Sequence, residues 1–147
     1  MIRLLVSGMR MLATVGAGMA ASTAWASEGP QGLWVTPAGH EVLVYNCNPG
    51  LCARLARVSP DLVARAQAAG SGRGQIKVPA IGTPIFQHLP EDGANRWAGL
   101  IYYPEGRQSF SGSLRYQADG TLRLEGRSDS ATRTRIWRRR MCEAMPQ

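Results

Sequence analysis

From Gln108 to Gln117 the chain alternates with a period of two. Phe110, Gly112, Leu114 and Tyr116 share one face, and Ser109, Ser111, Ser113 and Arg115 share the other. This is the pattern of an antiparallel strand with one face buried and one wet. It is repeated in "TLRLEGRS", where Leu122 and Leu124 face the same way, and Asp119-Gly120 between the two runs is a strong hairpin signal. Just before, "RWAGLIYY" is an aromatic-rich run that also reads as alternating, and it turns at Pro104-Glu105-Gly106 into "QSFSGSLRYQ". A loop around Asp129–Thr132 leads to the last run, "RTRIWRR".

The first half has the same rhythm. "GLWVT", "EVLVYNC" and "LCARLARV" read as three strands, the last two forming a hairpin. "SPDLVARAQAAG" breaks the series. Ser59 suits an N-cap, Pro60 the first helical position and Asp61 the positive end of the dipole. Leu62, Val63, Ala66 and Ala69 can share a face, so a short helix is predicted over Pro60–Ala69, ended by Gly70. "GSGRGQ" is a connector, since it lacks the Gly-Lys-Ser/Thr ending of a phosphate-binding loop. In "IKVPAIGTPIFQHL", Pro79 and Pro84 confine any strand to an edge, an end or a bulge. Eight or nine strand candidates joined mostly in order predict a mainly β fold. The expected form is a small antiparallel up-and-down barrel of about eight strands with one short helix. Closure would remove the exposed edges of such strands.

The residues before Ser27 do not belong to this pattern. A basic start with Arg3 and Arg10, a short apolar stretch and the Ala24-Trp25-Ala26 site read as a secretory signal peptide over residues 1–26. The domain is then expected over residues 27–147, in the periplasm or secreted, with no membrane-spanning segment after cleavage. Loss of Arg3 and Arg10 takes the net charge from +7 to +5. A basic exported domain leaves anionic lipid or an acidic envelope protein as partners for Arg133–Arg140, and makes nucleic acid implausible. On strand alternation Arg133, Arg135, Trp137 and Arg139 share one face, and Thr134, Ile136, Arg138 and Arg140 the other.

Export also places the cysteines in an oxidising compartment. With Pro49-Gly50 as central turn residues, Cys47 opposes Cys52 at close approach, and a disulfide is expected there. Pro-Gly favours a type II turn, which matches strand twist less well than the primed turns, so a bulged loop is the alternative. The competing Cys-x4-Cys metal reading lacks a second ligand pair, so no metal or cofactor is expected. Cys142 is left odd: free, paired with another molecule, or competing for one of the other two. His40 and His88 stand apart from any triad or His-Glu-x-x-His context, and Glu91-Asp92 beside Gly93 reads as a turn. No catalytic residue is assigned.

Several of these pieces together resemble the DUF2147 family of exported bacterial proteins. They are Gly32 and Trp34; Cys47 and Cys52; Trp97, Gly99, Ile101, Tyr102, Pro104 and Phe110; Asp119, Gly120, Leu122 and Gly126; and Trp137 and Arg139. Ala53 departs from the glycine that the family usually carries after its second cysteine. The resemblance implies a lipocalin-like β-barrel. In that closure pattern a tryptophan plugs one end beneath an arginine, here Trp34 with Arg138, Arg139 or Arg140.

A barrel of this size can hold one small ligand or be packed solid. The candidate inward residues are Val42, Val44, Ile85, Leu100, Tyr102, Phe110, Leu114, Leu122 and Leu124. Two functions follow: a non-enzymatic binder of a small apolar or amphipathic ligand, or a solid-cored interaction module of the cell envelope. An enzyme ranks third.

Overall fold

In the computed structural model, which describes residues 29–104 and 107–141, the alternating runs become strands. The expected leader and Cys142 lie outside the described residues. The strands are β1 (Gly32–Val35), β2 (Glu41–Asn46), β3 (Leu51–Arg57), β4 (Pro84–Leu89), β5 (Arg96–Tyr103), β6 (Gln108–Tyr116), β7 (Leu122–Arg127) and β8 (Thr132–Arg139). Helix α1 spans Pro60–Ala69 between β3 and β4, over the residues predicted. The spatial order is β4-β3-β2-β1-β8-β7-β6-β5, antiparallel throughout. Every pair in the sheet joins chain neighbours except β1–β8, and the chain neighbours β4 and β5 stand at its two edges. The result is a mainly β, nearly closed eight-stranded barrel with one short helix.

The remaining seam, β4 against β5, is drawn together at one end by the chain that follows β4. Glu91 bridges Trp97, the Ala98 N–H donates to the Pro90 carbonyl at 3.1 Å, and the Asp92 N–H donates to Arg96 at 2.8 Å. Leu89 fills the space above Gly99, where an added Cβ would lie 2.9 Å from its methyl.

The core is the inner face of the sheet. Trp34, Val42, Val44, Leu51, Leu55, Ile101, Leu114 and Leu122 are all at most 2% exposed. Removing their apolar surface from water is what favours the closed form. Helix α1 buries no residue fully and rests Leu62 and Val63 against the core from outside.

Three expectations are corrected. Leu100 is not inward: it is 64% exposed, and Ile101 at 1% takes the inner position. "RWAGLIYY" is apolar on both faces, so its alternation carries no direction. The β5–β6 register supplies it by setting Ile101 opposite Phe110, and Leu100 and Tyr102 opposite Ser111 and Ser109. Tyr102 therefore has outward parity and stands at the barrel rim.

The disulfide hairpin is also wider than predicted. Asn46 opposes Leu51 and Tyr45 opposes Cys52, leaving a loop from Cys47 to Gly50 closed by a Cys47 N–H bond to the Gly50 carbonyl at 3.3 Å. The primed turns that two-residue hairpins favour need a positive φ at their first central position, which proline cannot adopt. The wider loop puts positive φ on Asn48 and Gly50 instead. The third correction is that residues 76–83 form no strand. Pro79 lacks a donor, and β4 begins only at Pro84.

Candidate functional site

Trp34 is fully buried at one end of the barrel, and its position follows from β1 lying between β2 and β8. Its indole Nε1 donates to the Pro30 carbonyl at 2.8 Å, and the Tyr116 ring meets it edge-on with centroids 6.4 Å apart. The Arg139 guanidinium lies 4.4 Å from the ring centroid. It also donates to the carbonyls of Gln31 at 2.8 Å and Gly29 at 2.7 Å. Of the three arginines proposed to cover the tryptophan, Arg139 is the one in place. Arg138 is exposed, and Arg140 turns outward to pair with Glu41 at 3.2 Å.

The other end is hollow. A cavity of about 310 Å³ opens between the β1–β2 turn and the β5–β6 and β7–β8 hairpins. Its depth is apolar: Val42, Leu55, Ile85, Ile101, Leu124 and Trp137 form it, with Phe110 on one side. Thr36, Pro37, Ser109, Ser128, Arg127 and Arg133 lie around the mouth. Between rim and floor, the Arg135 guanidinium stacks over the Tyr103 ring at 4.6 Å. A second, more open hollow of about 630 Å³ lies outside the wall, where the coil from Gln75 to Ala80 passes Leu62, Tyr102 and Arg107. No strand frames that coil, so the barrel cavity is the better-built site.

Phe110 has a seat made by glycines. Gly112 and Gly126 are cross-strand partners in β6 and β7. A Cβ on Gly126 would come within 2.6 Å of the Phe110 ring, and one on Gly112 within 2.6 Å of the Glu125 carbonyl. Two side chains are given up so that one aromatic ring can lie flat on the cavity wall.

The expected inward residues divide by depth. Val42, Ile85, Phe110 and Leu124 line the cavity, and Tyr102 touches its rim. Val44, Leu114 and Leu122 are buried with Trp34 in the solid half. Leu55, Ile101, Tyr103, Arg133, Arg135 and Trp137 were not foreseen as a lining. The signal for the β8 residues was present, since Arg133, Arg135 and Trp137 were predicted to share one face; what sequence could not give was that this face points inward.

Chemistry beyond binding is sparse among the described residues. His40, 5% exposed, borders the cavity, and its Nδ1 accepts the Ser59 N–H at 2.9 Å, so the ring proton sits on Nε2. That bond ties the β1–β2 turn to the start of α1. Cys47, Cys52 and His88 place potential ligand atoms within 4.8 Å of one another. The two sulfurs form a disulfide, with Cα atoms 5.7 Å apart, and are not the thiolates that a metal binds. His88 contacts the Pro49 carbonyl through Nδ1 at 3.0 Å, and its N–H reaches Cys52 Sγ at 3.4 Å. The Asp119 pKa is held below its ordinary 3.8 by the Thr121 hydroxyl and N–H, and the residue lies in the turn at the plugged end. No nucleophile, base and orienting acid converge among the described residues.

No helix among the described residues is long and apolar enough to cross a membrane. In sequence comparison, residues 32–139 match the family profile described as "Uncharacterized protein conserved in bacteria (DUF2147)". Neither the curated proteins nor the solved structures give a match.

Proposed function

The chain belongs to the DUF2147 family, and on that premise we propose that it is an exported, non-enzymatic barrel protein that holds a small apolar or amphipathic ligand. The supporting observation is the cavity of about 310 Å³, at the low end of the size range of small-molecule sites. It has an apolar floor and a few polar groups near its mouth, the usual division between affinity and orientation. A solid-cored interaction module would have no use for this half-filled design, in which one end is sealed by Trp34 and the other left open.

Export is part of the same reading. The leader over residues 1–26 and a disulfide that persists only under oxidising conditions both favour the periplasm or the exterior. In that setting the remaining basic surface, Arg138 above all, is available to anionic lipid or an acidic envelope protein.

The test is native mass spectrometry of protein released gently from the periplasm. The expected spectrum shows a chain beginning at Ser27 and carrying a small non-covalent mass that unfolding releases. A bare chain, with no uptake of small apolar probes, would rule out the binder.

A further inference from the structure

We propose that the ligand is a small amphipathic anion, its apolar body on the barrel floor and its charged head on Arg133 and Arg135. The proposal rests on the binder reading above and adds the chemical class of the ligand. β8 grades from charge to apolar surface along one face: Arg133 is exposed, Arg135 half-buried and Trp137 buried, and all three line the cavity. Arg127 joins them from the end of β7. Among the described residues no acidic side chain lines the cavity, and none of these arginines forms an ion pair.

The geometry of Arg135 adds the specificity. Its guanidinium carbon lies 4.6 Å from the Tyr103 ring centroid, and its N–H donors, which match carboxylate or phosphate oxygens, form no ion pair among the described residues. A guanidinium already held against a ring loses less side-chain freedom on binding than an unrestrained one. A guanidinium away from bulk water attracts an anion more strongly than an exposed one and repels a cation by the same physics. At ~30 Å³ per water in the liquid, the cavity has room for about ten waters. A ligand of about ten non-hydrogen atoms fits, which makes octanoate the matching probe.

Calorimetric titration of the mature protein with octanoate, 1-octanol and octylammonium tests this. Octanoate is expected to bind about tenfold or more tighter than octanol, with octylammonium weakest. The octanoate advantage should shrink as salt is raised, while octanol binding stays level or strengthens. The double variant Arg133→Gln, Arg135→Gln is expected to abolish the preference and keep octanol binding. Octyl phosphate as a further probe distinguishes a carboxylate head from a phosphate one, and tighter binding of either supports the class. If the double variant fails to fold, the salt series on the unaltered protein decides the matter. Equal binding of octanoate and octanol, independent of salt, would overturn the anion proposal and leave the cavity reading standing. Binding of none of the probes would overturn both.

Discussion

At the scale of single residues, the molecule depends on places where a side chain is missing as much as on those where one is present. Gly126 is the clearest case, because its absent Cβ is where the Phe110 ring lies. Gly126→Ala is expected to destabilise the protein by about 1–3 kcal/mol, the usual cost of overpacking. Urea melts measure this, and in a Phe110→Ala background the same substitution should cost much less because the clash is gone. Asp119 gives a different kind of prediction. Its folded pKa is lowered by hydrogen bonds from Thr121, so its contribution is present above the unfolded pKa and is lost as pH falls through the folded one. The window is therefore strongly acidic, below about pH 4. Asp119→Ala should make the melting temperature fall less steeply with acid there, and leave the pH dependence near neutrality unchanged. The carboxylate is exposed, so the effect is expected to be small.

At the scale of elements, the disulfide loop shows which constraints are local and which are not. The pairing of Cys47 with Cys52 was legible because a sequence separation of 5 across a Pro-Gly turn brings the two residues close with few alternatives. The register was not, because it depends on what Pro49 forbids rather than on what Gly50 permits. Replacing both cysteines by serine is expected to cost about 2 kcal/mol in the chain-entropy model, measured as a lower urea midpoint. Alkylation of the unreduced, unfolded mature chain should modify only Cys142, and three modified cysteines would contradict the bridge. Helix α1 was equally legible, with Pro60, Asp61 and Gly70 each marking a boundary that holds. β5 was not, since a strand with apolar residues on both faces gives no direction until its partner is known. Phe110 in β6, with its serine-lined back, carried the information that β5 lacked. The candidate site failed to appear in sequence for the same reason at larger separation: Arg135 and Tyr103 meet only because β8 and β5 curve toward one mouth, and nothing in either strand announces the other.

At the scale of the whole molecule, the barrel is asymmetric along its axis, with aromatic and cation–π packing at one end and an open apolar cup at the other. A ligand entering the cup would bind the folded state alone and raise the melting temperature by mass action, which gives a readout independent of calorimetry. The plug has a consequence of its own. Arg139 anchors to Gly29, 110 positions earlier in the chain, and β1 gains its second neighbour only when β8 arrives. Contacts so distant in sequence cost the most chain entropy to form and are slow for that reason. A ribosome making this chain releases Trp34 105 positions before Arg139. Until β8 emerges the first strand therefore lacks the partner that would lock it. The ring closes only after β8 has been delivered, which makes the tryptophan latch a record of that strand's arrival as well as a seal.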